Sequence, residues 1–479
     1  MKKLLFYLLA TFTLVNCTHA NEEKQIIILS TNDIHAKIDN FAKIAAYVDK
    51  VRSENKNVLL LNAGDMFSGN PVIDKYPDKG YPIIDIMNKI GYNYGAFGNH
   101  EFDYGQEFLA KRIEQAKFTF LCANIKVSEQ AQIKQPEPYV IFELDGIKIC
   151  ILSVIQVENS NGKLIPSTHP DRVKNIEFFQ PVETILKYKN LREKCDLFIA
   201  LDHVEVEEDH AIAEKMPELD VIIGGHTHAL VNGDIVDSVM ITQALCHLKY
   251  IGKTTITLKG NKVVDKKFEL IDVSTLQDEN EEVKNLINEC YEKSPLKEIV
   301  GKAGDKFEGK EILGSLMADA VTAICKVDIA FQNSGGVRIG KIEKGDISLA
   351  TIYELDPFDN QVIEFEMTYA EIYSLLKNSY RESNKFADLL TSGITYTIKV
   401  KNSKVIDIEM RDIKTGKLLD KNKKYKVGMN SYIASSYKFD HADEGKSLNI
   451  ITAETLEEYI KQQKEVFPKP ARTKIEEVK

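Results

Sequence analysis

Long hydrophobic runs are almost absent from this 479-residue sequence, and so is any excess of positive charge. The apolar run near the amino terminus, Leu4 to Val15, is too short to cross a bilayer as a permanent helix. The formal net charge is −10, which argues against a basic surface for nucleic acid polymers or anionic lipid. An acidic protein that acts on an anionic substrate needs a local positive charge, and bound metal ions are the simplest source.

The cysteines lack any disulfide pattern. The six that follow Cys17 are scattered, mostly beside apolar runs: Cys122, Cys150, Cys195, Cys246, Cys290 and Cys325. Export would permit disulfides, but this spacing marks no framework. We therefore expect buried free thiols.

Residues 1–20 are typical of an export signal, because Lys2 and Lys3 precede the short apolar run. Cleavage after Ala20 would release a soluble chain, whereas cleavage before Cys17 would leave a lipid anchor on that cysteine. The sequence leaves both outcomes open. We expect an exported protein, periplasmic or at the cell surface, that meets the membrane only through such an anchor.

The length of the chain predicts two domains, since one hydrophobic core does not grow to this size. Residues 22–273 alternate short apolar runs with helix-like segments, which is the rhythm of a layered α/β domain. Residues 274–300 are polar and predict a linker helix, and residues 301–470 predict a second, α+β domain. The charged end, Pro468 to Lys479, is expected to be frayed.

Five apolar runs of the first domain end on side chains that bind metals. Gln25 to Ser30 precedes Asp33 and His35, Val58 to Leu61 precedes Asp65, Tyr92 to Phe97 precedes Asn99 and His100, Leu197 to Leu201 precedes His203, and Val221 to Ile223 precedes His226 and His228. Ligands of α/β sheets bind beyond the carboxyl ends of the strands. Any one of these residues could be a helix cap or a core residue, but the five strand ends share no other structural reason. We expect them in one crevice.

Oxygen and nitrogen ligands without a thiolate suit two divalent ions such as zinc or manganese. Seven ligands are enough for two ions that share one carboxylate, and Asp65 is the natural bridge. Two ions about 3.5–4 Å apart clamp the attacking and leaving oxygens of a phosphoryl displacement and lower the pKa of a bound water towards about 7. Asp103 follows His100 by three residues and can hold its imidazole in one tautomer.

These strings resemble the calcineurin-like metallophosphoesterases, specifically the 5′-nucleotidase and UDP-sugar hydrolase family. The matching motifs are Asn32-Asp33-Ile34-His35, Gly64-Asp65, Gly98-Asn99-His100-Glu101-Phe102-Asp103 and Gly224-Gly225-His226-Thr227-His228. The resemblance implies a four-layer α/β-β/α domain followed by an α+β nucleotide-binding domain. It implies that Asp33, His35, Asp65 and His228 hold one ion, that Asp65, Asn99, His203 and His226 hold the other, and that His100, oriented by Asp103, stabilises the transition state.

The resemblance also implies substrate residues in the second domain. Asn333 to Arg338 looks like the substrate loop, and Phe358 and Tyr432 stand where two aromatic rings of the family sandwich the base. Core aromatics and a surface arginine are the alternative interpretations. The chain departs from the family pattern at the following positions: Asp202 and Glu205 around His203, Ser435-Ser436-Tyr437-Lys438 in place of a glycine-rich Asp loop, and Lys302, Lys306 and Lys310 in place of an arginine.

The function implied by the resemblance is hydrolysis of phosphate esters of extracytoplasmic nucleotides, in which a water activated by two metals releases nucleoside and phosphate. The altered substrate residues leave other enzymes open: a 2′,3′-cyclic-nucleotide phosphodiesterase with 3′-nucleotidase activity, or a UDP-sugar hydrolase. A surface binding protein on an inactive scaffold is a third hypothesis, and the complete ligand set argues against it.

Overall fold

The computed structural model describes residues 23–160, 163–168, 170–358, 360–383 and 385–478. The predicted export signal and Cys17 lie outside these residues, as does Asp359 beside Phe358. The described chain forms two compact units. The first contains the residues up to Asp74 together with Asp78–Glu292, and the second contains Lys75–Pro77 and Lys293–Lys479. None of the helices in the described ranges combines the length and hydropathy needed to cross a bilayer.

The first unit alternates strands and helices along the chain. Its strands are β1 (Glu23–Thr31), β2 (Val58–Asn62), β3 (Tyr94–Ala96), β4 (Thr119–Leu121), β5 (Ile125–Val127), β6 (Tyr139–Leu144), β7 (Ile147–Leu152), β8 (Glu158–Ser160), β9 (Lys163–Ile165), β10 (Ile176–Phe178), β11 (Leu197–Leu201), β12 (Val221–Ile223), β13 (Leu230–Val236), β14 (Val239–Ala244), β15 (Tyr250–Lys259) and β16 (Lys262–Asp272). Its helices are α1 (Phe41–Glu54), α2 (Pro71–Asp74), α3 (Tyr81–Ile90), α4 (Gln106–Gln115), α5 (Pro181–Ile185), α6 (Val206–Lys215) and α7 (Glu281–Lys293).

Two six-stranded sheets form the centre of this unit. One has the order β16-β15-β1-β2-β3-β4, and the other has the order β13-β14-β12-β11-β7-β6. One shared core contains buried residues of both sheets, for example Ile28 and Leu61 from the first and Ile151 and Leu201 from the second. The other face of the second sheet packs on α5 and α6 through residues such as Ile212. The predicted layered α/β domain is confirmed.

Local chemistry explains several elements. β6 and β7 form a hairpin, because they pair in antiparallel register around Asp145 and Gly146. Both turn residues have positive φ, 52° and 78°, as a type I′ turn requires. The free-thiol prediction is also confirmed: the six described cysteines are unbridged, and only Cys325 among them is more than slightly exposed.

The second unit is an α+β arrangement. Its strands are β17 (Ile299–Ala303), β18 (Phe307–Glu308), β19 (Ile329–Asn333), β20 (Lys341–Ile342), β21 (Gly345–Ser348), β22 (Gln361–Thr368), β23 (Tyr380–Arg381), β24 (Phe386–Ala387), β25 (Leu389–Ser392), β26 (Ile394–Lys401), β27 (Lys404–Asp412), β28 (Lys424–Asn430), β29 (Lys446–Ile451), β30 (Glu465–Val466) and β31 (Thr473–Glu477). Its helices are α8 (Lys310–Cys325), α9 (Leu349–Leu355), α10 (Tyr369–Ser379), α11 (Ser431–Ser436) and α12 (Thr452–Gln463). The main sheet has the order β25-β19-β28-β22-β29.

The expectation of a frayed carboxyl terminus is wrong. β31 pairs in parallel with β26, from Tyr396↔Thr473 to Val400↔Glu477. Just before it, the buried guanidinium of Arg472 donates to both carboxylate oxygens of Asp319, at 2.7 and 2.8 Å. This ion pair and the strand ladder tie down a segment whose charged composition alone suggested exposure to solvent.

Candidate metal centre

The carboxyl ends of five strands bring the predicted ligands together. β1, β2 and β3 are parallel neighbours in the first sheet, and β11 and β12 are parallel neighbours in the second. Because the two sheets share one core, the loops after these strands meet. Asp33, Asp65, Asn99 and His203 are buried there, while His226 and His228 are half-buried.

The first group of ligand atoms comes from Asp33, His35, Asp65 and His228. His35 Nε2 lies 2.9 Å from His228 Nε2, 3.8 Å from Asp65 Oδ2 and 4.0 Å from Asp33 Oδ1. His228 Nε2 lies 3.4 Å from that same Asp33 oxygen. Four candidate donors therefore face one small space.

The second group comes from Asp65, Asn99, His203 and His226. His203 Nε2 lies 3.1 Å from Asp65 Oδ2, and His226 Nδ1 lies 3.1 Å from Asn99 Oδ1. Asp65 Oδ2 thus belongs to both groups. The other oxygen of Asp65 accepts the backbone N–H of His100 at 2.9 Å.

The hydrogen bonds of the imidazoles decide which nitrogen is free. Nδ1 of His35 contacts the carbonyl of Ser68 at 3.2 Å, and Nδ1 of His203 contacts the carbonyl of Ala63 at 2.7 Å. These carbonyls can only accept, so Nδ1 carries a proton in both rings and Nε2 faces the cluster. His203 Nε2 is buried and makes no well-aligned hydrogen bond in the described chain, although Asp65 Oδ2 lies 3.1 Å away. A buried imidazole nitrogen placed in this way beside a carboxylate oxygen fits a divalent cation.

Backbone strain concentrates at the same residues. Asp33, His35, Asp65, His226 and His228 have φ of 49°, 48°, 54°, 76° and 52°. Non-glycine residues avoid this left-handed region, at a cost of about 1–2 kcal/mol each. Strain of this kind persists where the surrounding structure fixes it, typically at functional sites.

Two glycines allow the loops to approach one another. A Cβ at Gly98 would lie 2.2 Å from Asp65 Oδ1, and a Cβ at Gly225 would lie 2.4 Å from the carbonyl of Ala63. Neither neighbour could move without displacing a candidate ligand. The glycines of the motifs are therefore required by close packing.

His100 and Asp103 form the predicted pair. His100 Nδ1 lies 2.6 Å from Asp103 Oδ2, and Thr168 donates to the other oxygen of Asp103 at 3.2 Å. Burial by itself lowers the pKa of His100, but the carboxylates of Asp65 and Asp103 outweigh it and raise the pKa to about 10. The ring of His100 lies 4.8 Å from that of His35, so this imidazole stands beside the cluster.

Glu101 has a structural role that the sequence analysis missed. Its buried carboxylate accepts the backbone N–H groups of Asp65, Met66 and Gly98 at 2.9, 2.7 and 2.5 Å. It thereby joins the loop after β2 to the loop after β3. In the sequence, only the position of Glu101 between His100 and Asp103 in the motif pointed to such a role.

Two further side chains contact the cluster. Glu205 Oε1 lies 3.2 Å from His226 Nε2, on the side of the ring away from Asn99. Cys246 is buried beside His228; burial raises the pKa of its thiol, but hydrogen bonds with His228 and His247 lower it to about 6. The contacts of Glu205 with His226 and of Cys246 with His228 were not predicted from the sequence.

The two acidic departures around His203 differ in their surroundings, and Glu205 contacts the cluster through His226. Asp202 is fully buried, and one of its oxygens accepts the backbone N–H of Val154 at 3.0 Å. Burial raises the pKa of Asp202 well above its usual range and so favours the neutral carboxyl.

In the second unit the structure brings Arg338 and Phe358 together. The guanidinium of Arg338 lies 5.6 Å from the centre of the Phe358 ring, a cation–π contact. Phe358 is 38% exposed and Tyr432 is 51% exposed, which rules out the interpretation of both as core aromatics. The described residues show no direct ring contact between Phe358 and Tyr432.

Asn333 points inward. Its residue is buried, and its amide oxygen accepts from Asn430 Nδ2 at 2.9 Å. Tyr432 follows Asn430 closely in the chain, so this bond connects the loop after β19 with the start of α11. The structure therefore places Asn333 beneath the segment that carries Tyr432.

This fold and this cluster of oxygen and nitrogen donors define the class of dinuclear phosphoesterases. Comparison with family sequences agrees: the calcineurin-like phosphoesterase family matches residues 26–230, and the 5′-nucleotidase C-terminal domain matches residues 298–441. The chain belongs to the 5′-nucleotidase family of calcineurin-like metallophosphoesterases.

Curated relatives include the trifunctional nucleotide phosphoesterase protein YfkN of Bacillus subtilis, 27% identical over 91% of this chain and 34% of the relative. The endonuclease YhcR of the same species is 29% identical over 88% of this chain and 38% of the relative. A 5′-nucleotidase of Diplobatis ommata is 27% identical over 93% of this chain and 88% of the relative. The chain thus spans little more than a third of the first two relatives.

A solved structure with the same fold is that of the 5′-nucleotidase precursor from Thermus thermophilus. It is 23% identical, with a TM-score of 0.62, and the match covers 95% of this chain and 99% of that one. At this identity the likeness concerns the fold. The expectation of a metallophosphoesterase domain followed by a 5′-nucleotidase C-terminal domain is confirmed.

Proposed function

We propose that this protein hydrolyses phosphate esters of nucleotides. The main substrates are nucleoside 5′-monophosphates, and the products are nucleoside and phosphate. The observation that carries the proposal is the position of Asp65. One of its carboxylate oxygens belongs to both groups of candidate ligands, and the other accepts the N–H of His100. This arrangement suits an in-line displacement at phosphorus that needs two adjacent cations and a nearby proton donor.

The metal ligands are part of the proposal. Asp33, His35, Asp65 and His228 would hold one divalent ion, and Asp65, Asn99, His203 and His226 would hold the other. Zinc or manganese suits this mixture of imidazole, carboxylate and amide donors. When bound, the two ions supply Lewis acidity to the phosphoryl group and lower the pKa of a water.

The chain itself supplies the proton donor. Asp103 accepts a hydrogen bond from Nδ1–H of His100 and fixes the ring. Nε2–H is then left to donate to an oxygen of the phosphoryl group. The carboxylate of Asp103 also favours the protonated form of the ring. Donation to the charge that develops in the transition state accelerates the reaction more than it tightens substrate binding.

For the nucleoside part of the substrate we propose Arg338, Phe358, Tyr432 and Asn333. The exposed rings of Phe358 and Tyr432 suit stacking on a base, and Arg338 offers a fixed positive charge. Asn333 supports this region from below through Asn430. Asn333 would therefore help to fix the conformation of the loop that ends at Arg338.

Three related classes of substrate remain as alternatives: 2′,3′-cyclic nucleotides, 3′-nucleotides and UDP-sugars. The relative YfkN is described as trifunctional, which supports keeping them. YhcR is described as an endonuclease, whereas the net charge of −10 disfavours nucleic acid polymers for this chain. We further propose export to the periplasm or cell surface, on the basis of residues 1–20. A lipid on Cys17 and a cleaved, soluble form are the two alternatives.

A substrate panel tests the proposal. The full chain would be stripped with a chelator, dialysed, and reloaded with zinc, manganese, magnesium or calcium. Phosphate release from 5′-AMP, 3′-AMP, 2′,3′-cyclic AMP and UDP-glucose would then be measured beside cleavage of an oligonucleotide. We expect stripped protein to be inactive, and zinc or manganese to restore the highest activity on 5′-AMP.

Two outcomes would contradict the proposal. Full turnover after chelation and dialysis would exclude the metal chemistry. A complete metal content with no hydrolysis of any substrate would favour the inactive binding scaffold instead.

A further inference from the structure

A buried carboxylate, Asp388, lies beneath the proposed nucleoside-binding residues of the second unit. It directly precedes β25 and is 6% exposed. One oxygen accepts from the hydroxyl of Ser334 at 2.5 Å and from its backbone N–H at 3.3 Å. The other accepts from the hydroxyl of Tyr437 at 2.5 Å and from the guanidinium of Arg381 at 2.9 Å.

These partners belong to two different candidate substrate segments. Ser334 follows Asn333 and begins the loop that ends at Arg338. Tyr437 directly follows α11, whose second residue is Tyr432, and the two tyrosine rings meet edge to face with centres 6.3 Å apart. Asp388 therefore connects the loop that carries the arginine with the segment that carries the exposed ring.

Arg381 completes the cluster. Its guanidinium lies 5.4 Å from the centre of the Tyr437 ring while it pairs with Asp388. The phenol of Tyr437 is thus held at its hydroxyl by a carboxylate and at its face by a cation. A ring fixed in this way presents a rigid wall to Tyr432.

A second buried acid of the same unit provides a comparison for Asp388. The same unit contains another buried acid, Asp319, which pairs with Arg472 and Lys469 and accepts from Ser392. That network ties the carboxyl-terminal strand to α8 and includes none of the proposed substrate residues. Asp388 differs because its partners are neighbours of Arg338 and Tyr432.

We infer that Asp388 is a positioning residue for nucleotide recognition: through Ser334 it fixes the loop of Arg338, and through Tyr437 it fixes the ring of Tyr432. This inference rests on the function proposed above. If the loop of Arg338 and the ring of Tyr432 are fixed before the substrate arrives, less conformational entropy is lost when the nucleoside binds. It has no bearing on the phosphoryl chemistry, so its loss should affect substrates according to whether they contain a nucleoside.

The test is Asp388→Asn in the full-length, metal-loaded protein, assayed with 5′-AMP and with p-nitrophenyl phosphate, which has no nucleoside. The substitution removes the negative charge that strengthens the hydrogen bonds from Ser334, Tyr437 and Arg381. We expect KM for 5′-AMP to rise about tenfold or more, with kcat changed less than about twofold. The kcat/KM for p-nitrophenyl phosphate should stay within about twofold of wild type.

Asp319→Asn is the matched control, because it removes an equally buried carboxylate from the same unit. It should lower the melting temperature without raising KM for 5′-AMP selectively. Ser334→Ala and Tyr437→Phe keep the carboxylate and remove one link each. Each should raise KM for 5′-AMP less than Asp388→Asn does, and Tyr437→Phe should add little in the Asp388→Asn background.

The inference is overturned if Asp388→Asn impairs both substrates equally, or if its only effect is the stability loss seen with Asp319→Asn. An unchanged KM for 5′-AMP would overturn it as well. If the wild-type protein proves not to hydrolyse nucleotides, the proposed function fails, and calorimetric binding of 5′-AMP decides the inference separately. A dissociation constant raised about tenfold in Asp388→Asn would support it; equal affinity, or no binding by either protein, would refute it.

Discussion

The candidate metal centre of the first unit and the candidate nucleoside site of the second unit are built in contrasting ways. Most candidate ligands of the metal centre are buried, the backbone is strained at five of their positions, and glycines allow the loops to touch. The candidate nucleoside-binding residues Arg338, Phe358 and Tyr432 are exposed, and a few side-chain hydrogen bonds beneath them hold their loops. In this protein the candidate metal ligands are held by contacts all around them. The candidate nucleoside-binding side chains are held only through the loops beneath them.

The strongest way to test the rigid half of this comparison is Asp65→Asn. Because Asp65 faces both ligand groups, the loss of its charge should weaken the binding of both ions. It should also lower kcat by about a thousandfold or more. Metal content by mass spectrometry and turnover of 5′-AMP would be measured together. Glu107→Gln, which changes an exposed carboxylate of the same unit, should leave both unchanged. Two bound ions in the Asp65→Asn protein would show that this residue is not the bridge.

A somewhat smaller effect is expected for His100→Ala. Removing a proton donor that acts in the transition state should lower kcat about 10²–10³-fold, with metal content and KM nearly unchanged. Asp103→Asn should lower kcat less, since the imidazole remains. His441→Ala alters an exposed imidazole and serves as the control. A rise in KM with kcat preserved would assign His100 to binding.

The smallest effect belongs to the exposed site. Tyr432→Ala should raise KM for 5′-AMP about tenfold through lost stacking, which contributes about 1–3 kcal/mol per base. Tyr432→Phe keeps the ring and should behave like wild type. Steady-state kinetics of the two variants, with p-nitrophenyl phosphate as the substrate without a base, provide the measurement. Equal KM values for the alanine and phenylalanine variants would remove Tyr432 from the proposed site.

The sequence allowed the fold class and the composition of the candidate site to be predicted, because strands and their termini have local signatures. Each apolar run that ended on Asp33, Asp65 or His203 is a strand in the structure. The hairpin at Asp145 and Gly146 was equally local, since its turn type depends on two adjacent residues.

Other features could not be predicted from local patterns. Glu101 binds the loop of Asp65, and Glu205 contacts His226, over separations of tens of residues in the first case and about twenty in the second. The carboxyl-terminal strand depends on Arg472 meeting Asp319, 153 residues earlier. Composition alone made that segment look like a free tail.

The order of side chains along the chain determined by itself that strands would end on carboxylates, imidazoles and an amide, and therefore that a divalent cation could be bound. Only the tertiary structure decided that two separate sheets share one core and bring those ends together, that Asp65 Oδ2 is common to both ligand groups, and that Asp388 supports two loops at once. The physical reason is that donor chemistry belongs to single residues, whereas distances of about 3–4 Å between remote residues exist only after the core has packed.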